Sequence, residues 1–228
     1  DPAIPELAEL VGGPPMGGFR AAADAAVPQL RRDRDLLHTL LDDVPGSTLI
    51  SGHALGASGQ LDSARTGFRP LADQCAGFVT GGVMTTMFAS DEAVIVTGPP
   101  APDLGDPDDP LAWHEFGELP LHGMRRARRV DVAGAGDGVQ TIIHEYTLHA
   151  TVDRRTGRVL ESHATPRVLP WQECPAAAHS AARISGMTLR ELHSRVRREL
   201  HGTSTCTHLN DLLRSVADAE ALTSLLPT

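Results

Sequence analysis

Lysine is absent from this chain of 228 residues, because all 20 of its basic residues are arginine. Schiff-base and pyridoxal phosphate enzymes need a lysine amine, and the P-loop needs a lysine for its phosphates, so both classes are excluded. Aromatic residues are also few, with two Trp, one Tyr and five Phe, and the formal net charge is −9. A nucleic-acid surface needs basic patches and stacking rings. We therefore expect no nucleic-acid partner.

Long apolar runs are missing as well. No stretch of roughly 18 apolar residues occurs, and the first residues lack the basic-then-apolar pattern of an export signal. Three cysteines, Cys75, Cys174 and Cys206, are an odd number and lie far apart in the sequence. This usage favours reduced thiols over a disulfide framework. We expect a cytoplasmic protein without a membrane partner.

The order of the sequence patterns predicts an α+β fold in a single domain over residues 1–228. Residues 1–66 are expected to form an N-terminal arm and a mixed region, in which the stretch LLHTLL fits a helix or a buried strand. Residues 67–172 predict a β-rich core, and residues 173–228 a helical cap. Five prolines and four aspartates within 99–112 interrupt the core with a long loop.

Three extended segments predict a curved antiparallel meander within that core. HGMRRARRVDVAG and GVQTIIHEYTLHATVD are joined by a glycine-rich turn, and RRTG leads into RVLESHATPRVL. The glycine-broken stretches STLISGHAL and CAGFVTGGVMTTMFA also favour strands. About three C-terminal helices should pack on the sheet, and the clearest of them begins with a capping box formed by Thr188 and Glu191.

Five motifs follow one another along the chain: LAWHE, LPLHGMRRARRVDV, HATVD, PWQECPAAA and TCTHLNDLLRS. In this combination, the chain from about Gly67 onward resembles an uncharacterised bacterial family, domain of unknown function 2889, in an actinobacterial form. The resemblance implies no activity. It implies that several positions match the family pattern, namely His122, Arg125, Arg126, His149, Cys174 and the run from Cys206 to His208.

The segment HEYTLH, residues 144–149, carries the main candidate site. Its two histidines are five residues apart, which breaks the shared helical face of a zinc-protease motif. On a strand, however, Glu145 and His149 lie on the same face. That face is either solvated or lines a polar pocket. In a pocket, His149 and Glu145 would serve as general acid and base.

Other candidates lie where loops meet the predicted sheet. His122 precedes the arginine-rich strand and would assist catalysis, while Arg125 or Arg126 would hold an anionic group. His114 and Trp113, at the end of the acidic loop, are further candidates for substrate binding. Histidines from separate strands can bind zinc together with a thiol, but no pair here has diagnostic ligand spacing. We expect no metal and no cofactor.

The tripeptide from Cys206 to His208 suggests an alternative chemistry. If Cys206 were already helical, it would lie about 200° from His208 around the helix axis, so the two side chains would not touch. Only a cysteine that precedes the helix can turn its thiol back toward the imidazole. In either case, a helix N-terminus favours a thiolate, and Cys174 occupies an equivalent place. Otherwise both cysteines are small buried residues at tight junctions.

These patterns favour a cofactor-independent enzyme that acts on a small organic or acyl substrate. The expected chemistry is acid–base catalysis of a lyase, isomerase, cyclase or hydrolase type, by a chain for which a homodimer is one option. Two alternatives stay open. One is a thiol enzyme with Cys206 as nucleophile and His208 beside it, and the other is a non-catalytic small-molecule-binding or accessory protein.

Overall fold

The chain combines helices with one antiparallel sheet, so the prediction of an α+β fold is confirmed. A computed structural model describes residues 4–33, 35–57, 71–90, 127–134 and 140–223. The α-helices in these residues are α1 (Phe19–Ala26), α2 (Pro28–Asp33), α3 (Leu36–Ala57), α4 (Val83–Ala89), α5 (Leu189–Glu199), α6 (Thr207–Ser215) and α7 (Ala219–Thr223). Segments of 3-10 helix cover Pro5–Leu10, Ala76–Phe78, Cys174–Ile184 and Val216–Asp218.

The sheet has three strands in sequence order, β1 (Ala127–Gly134), β2 (Gln140–Asp153) and β3 (Arg158–Val168). Both neighbouring pairs are antiparallel, so β2 is the central strand. Alternate residues of β2 point to one face, and Tyr146 and Leu148 on that face are almost completely buried. His144 also lies on this inward face, whereas Glu145 and His149 lie on the opposite one.

The main core lies between the sheet and the C-terminal helices. Its fully buried side chains include Tyr146, Leu148, Val159, Ile184, Leu192, Leu209 and Leu213. Burial of each large apolar side chain stabilises the fold by about 1.5–3 kcal/mol. The predicted capping box at the start of α5 is confirmed, since the Thr188 N–H donates to Glu191 Oε2 at 2.7 Å. The core thus holds β2 and α6 in contact.

LLHTLL, for which the sequence allows a helix or a buried strand, lies in α3. Two stretches for which the sequence favours strands are also helical: STLISGHAL lies in α3, and the second half of CAGFVTGGVMTTMFA forms α4. The prediction of strands there was wrong because β-branched residues and glycines were weighed without their tertiary contacts. At α4, the N–H of Val83 donates to Glu173 Oε1 at 2.9 Å, which satisfies a free donor of the first turn. The loop at 99–112 lies outside the described residues.

A network of four charged side chains joins the N-terminal helices to α6. Arg20 Nη2 donates to Asp211 Oδ1 at 3.1 Å, and Arg214 Nη1 donates to the same oxygen at 3.0 Å. Both arginines also contact the Asp42 carboxylate. The four side chains are buried or largely shielded from solvent. Each charge in the network therefore faces an opposite charge.

Candidate metal centre

Cys206 stands immediately before α6 rather than inside it. The helix begins at Thr207, and Cys206 is the N-cap residue with an extended backbone (φ −131°, ψ 132°). This conformation turns the sulfur back over the first turn, so that Sγ lies 3.9 Å from Nδ1 of His208. The condition that the sequence set for contact between the thiol and the imidazole is therefore met.

A second imidazole completes the cluster. His144 lies on the inward face of β2, and its ring stacks on that of His208 with centroids 3.7 Å apart and planes inclined by 22°. The thiol and the two rings each offer one ligand atom, and these three atoms lie within 4.8 Å of one another. Only 6% of His144, 3% of Cys206 and 5% of His208 is exposed. The cluster is therefore part of the core.

Burial controls the protonation of the Cys206 thiol. It raises the pKa of the Cys206 thiol to about 11, although the backbone N–H groups of Leu209 and His208 act in the opposite direction. A pKa in this range keeps the thiol protonated near neutral pH. The phenol of Tyr146 lies beside it, and its pKa is raised by burial first and by Cys206 second. Tyr146 therefore remains a hydrogen-bond donor.

The other two cysteines approach the same part of the core, and all three thiols are free. Burial raises the pKa of Cys174 to about 12, with Cys206 the next cause. Burial likewise raises the pKa of half-buried Cys75, whose sulfur interacts with the backbone N–H of Thr207 at the start of α6. Three thiols that are distant in sequence thus converge near Tyr146.

Close packing fixes one of these thiols. A Cβ atom on Gly77 would lie 2.7 Å from Cys174 Sγ and 2.9 Å from Trp171 Cδ1. Only glycine fits there without movement of its neighbours. Cys174 itself packs with Met84 and Trp171 in a second, smaller core cluster. Its surroundings are those of a structural core residue.

The donor set of His144, Cys206 and His208 is suited to a borderline-soft transition metal. Two imidazole nitrogens and one thiolate are ligands that zinc prefers. Tetrahedral zinc, with bonds of about 2.0–2.3 Å, places its ligand atoms roughly 3.3–3.6 Å apart. The observed 3.9 Å between Sγ and Nδ1 exceeds this by a few tenths of an ångström. The three ligand atoms, which lie within 4.8 Å of one another, would therefore have to move closer together to bind one zinc ion.

The structure separates the sequence-predicted site residues. His149 is exposed on the outer face of β2, opposite His163 of β3, and Glu145 is half-buried on the same strand. Cys206 and His208 lie together on the inner side. The remaining candidates, His114, Trp113, His122, Arg125 and Arg126, lie outside the described residues. The sheet thus divides the predicted residues that the structure describes into two groups.

His144 is the member of the cluster that the sequence analysis did not select. It belongs to the row of residues on β2 that also holds Ile142, Tyr146 and Leu148, all of which are buried. An imidazole within an otherwise apolar row is a recognisable signal, because burial of a polar group costs free energy unless it has a partner. The partner is what the sequence does not reveal, since His208 lies far along the chain.

Comparison with protein families matches residues 121–222 of the chain to a known family model. The matching family is DUF2889, described as a protein of unknown function. The resemblance to DUF2889 is confirmed. The matched segment contains β1 to β3, α5 and α6, and therefore every residue of the candidate metal centre. The LAWHE motif and the stretch from Gly67 precede it.

No curated protein and no solved structure matches the chain. Among the helices of the described residues, none combines the length and the apolar character needed to cross a membrane.

Proposed function

We propose that the chain is a zinc-binding enzyme whose metal is held by His144, Cys206 and His208. One observation carries this proposal, which is the convergence of two imidazoles and a thiol within 4.8 Å in the core. Carboxylates, which suit magnesium and calcium, are not part of the group. Three protein ligands leave the fourth tetrahedral position to water, as in catalytic zinc sites.

The chemistry follows from that fourth position. Zinc lowers the pKa of a bound water to about 7 and polarises carbonyl oxygens. We therefore assign the chain to hydrolase or hydration-type lyase chemistry on a small organic or acyl substrate. The proposal includes a curved sheet covered by a helical cap, as the sequence suggests. The zinc ligands would then come from the central strand β2 and from the start of α6.

The start of α6 supports the thiolate that zinc requires. The backbone N–H groups of His208 and Leu209 act on Cys206 Sγ in the direction that favours the charged form. Tyr146 lies beside the sulfur as a phenol and would donate a hydrogen bond to it. Such partners orient a ligand and raise metal affinity. The role of Tyr146 is one of positioning.

Metal binding should change the histidine stack. A metal lies in the plane of each imidazole that ligates it, whereas the two rings are now within 22° of parallel. His144 and His208 must therefore tilt away from each other when both bind one ion. The ring proton resonances of these two histidines should shift on addition of zinc, while those of exposed His149 should not.

The decisive experiment measures zinc stoichiometry and cobalt spectra. Protein reconstituted with zinc and desalted is expected to retain one zinc per chain by elemental analysis. Substitution with cobalt should give the thiolate-to-cobalt charge-transfer band of a cysteine ligand. Cys206→Ser should abolish this band and His208→Asn should weaken metal binding at least tenfold. Cys174→Ser is the matched control, because it removes a neighbouring buried thiol outside the donor set.

Two results would refute zinc binding at this site. The first is less than one tenth of a zinc per chain in a folded, reconstituted protein, and the second is equal loss of the cobalt band in Cys174→Ser and Cys206→Ser. Circular dichroism of each variant shows whether it is folded. If Cys206→Ser fails to fold, His144→Gln provides the same test from the strand side.

The acid–base hypothesis at Glu145 and His149 ranks second. Both residues lie on β2, and the pairing of His149 with His163 brings two imidazoles together on an exposed face. An exposed face lacks the concave enclosure of a small-molecule site. His149→Ala should abolish turnover with the fold intact if this hypothesis is right, and should preserve zinc binding in either case.

A further inference from the structure

A surface cleft lies between the N-terminal helices and the C-terminal pair, away from the metal ligands. Residues of α1, α2 and α3 line one side, and residues of α5 and α6 the other. Its volume is about 660 Å³. This volume lies within the usual range of sites for small organic ligands.

The lining of the cleft is cationic in a chain whose net charge is −9. Four arginines and two histidines face two aspartates there. The charged lining residues are Arg31, Arg197, Arg198, Arg214, Asp24 and Asp42, and the histidines are His38 and His193. Among the lining residues, the charge balance is thus opposite in sign to that of the whole protein, and such a lining favours an anion over a cation.

Most of these charges already have partners. Arg214 is held by Asp42 and Asp211, and Arg198 Nη2 donates to Glu199 Oε1 at 3.0 Å. These arginines contribute positive potential, but their guanidinium groups are engaged. An anionic ligand therefore needs a hydrogen-bond donor other than Arg198 and Arg214.

The guanidinium of Arg197 lies further from a carboxylate than those of Arg198 and Arg214. Among the described residues, the one carboxylate within 4 Å of its guanidinium is Asp24, whose Oδ2 lies 3.8 Å from Nη1. That carboxylate already accepts from Arg31 Nη1 at 2.9 Å and contacts His38 Nε2 at 3.1 Å. Asp24 is therefore shared among three cationic or imidazole groups. Arg197 has the weakest of the three contacts.

The electrostatic surroundings of Arg197 agree with this geometry. Burial lowers the pKa of its guanidinium, and the positive charges of Arg214 and Arg20 act in the same direction. An arginine remains charged in proteins regardless of such shifts. A negative group placed beside it would therefore relieve repulsion among three guanidinium groups.

We propose that this cleft binds the oxyanion group of a small molecule, a phosphate or a carboxylate, with Arg197 as its principal donor. The planar guanidinium presents two parallel N–H groups to either anion. The inference goes beyond the zinc proposal and does not depend on it, because no metal ligand lines the cleft.

The test is calorimetric titration of the metal-free protein with inorganic phosphate and, separately, with citrate at constant ionic strength. Saturable binding of at least one of the two is expected. Arg197→Gln should weaken that binding at least tenfold. Arg195→Gln is the matched control, because Arg195 lies on the same helix but is bound by Glu199 at 2.9 and 3.0 Å outside the cleft.

Three results would overturn the proposal: no saturable binding of either anion, unchanged binding by Arg197→Gln, or equal weakening by Arg195→Gln. A preference for phosphate or for citrate would identify the class of anion. The Cys206→Ser variant separates the two proposals, because it should lose zinc and retain anion binding. Arg197 is 41% exposed, so its replacement should leave the fold intact.

Discussion

Replacement of Arg214 by methionine tests the charged network that joins the N-terminal helices to α6. Methionine retains much of the apolar stem and removes the guanidinium. Arg214 is only 5% exposed and contacts both Asp42 and Asp211. After the substitution, the two carboxylates would share Arg20 as their remaining partner in the network. We expect a large loss of stability.

The magnitude follows from the burial of the pair. Removal of one partner from a buried ion pair costs about 3–5 kcal/mol, because the other charge is left without compensation. Arg20 compensates in part, so the expected loss in the free energy of unfolding is near the lower end, about 3 kcal/mol. In a chain of this size, each kcal/mol corresponds to roughly 2–4 °C in Tm. Tm should therefore fall by about 6–12 °C.

Urea unfolding and calorimetry measure this loss directly. The matched control is Arg190→Met, which removes an arginine that is 77% exposed from its pair with Glu220. An exposed pair contributes about 0–1 kcal/mol, so Tm should change little. If Arg214→Met is destabilised by less than about 1 kcal/mol, or no more than Arg190→Met, the network contributes little to the stability of the fold.

Two further predictions concern packing and pH. Gly77→Ala should destabilise the fold by about 1–3 kcal/mol in thermal unfolding, because its Cβ would lie 2.7 Å from Cys174 Sγ. Gly17→Ala is the control and should be nearly neutral, because no atom lies within 4 Å of the added Cβ. Equal Tm values for the two variants would contradict this packing. The N–H of Thr188 holds the pKa of Glu191 in the folded state below its usual value of 4.5. The stability that the Glu191 carboxylate provides is therefore fully present above about pH 4.5 and is lost as the pH falls through the lower pKa of the folded state. Glu191→Gln should therefore flatten the fall in stability below about pH 4.5 in acid unfolding curves, and an unchanged slope would refute the assignment.

Local signals in the sequence predicted the elements of the family-matched segment well. Extended runs on either side of the RRTG turn identify β2 and β3, and the pair of Thr188 and Glu191 identifies the start of α5. Both signals depend on neighbours within a few residues. Such patterns indicate an element reliably because its geometry fixes which side chains share a face.

The assembly of the candidate metal centre could not be predicted in the same way. Cys206 and His208 are two residues apart, so their contact depends only on where α6 begins. His144 joins them only through the packing of α6 on β2, over a long separation in sequence. The helical state of α4 was missed for a similar reason, because Glu173 provides its cap from the distant segment before Cys174.

Helix α6 contributes to both the candidate metal centre and the charged network. Cys206 and His208 lie at its N-terminal end, and its last turn carries Arg214, roughly 9 Å beyond His208 along the axis. Arg214 and Asp211 are neutralised by Arg20 and Asp42, which precede the family match at residues 121–222. The matched segment by itself would expose this charged pair without its N-terminal partners. The matched segment therefore contains only part of the charged network that joins α6 to the N-terminal helices.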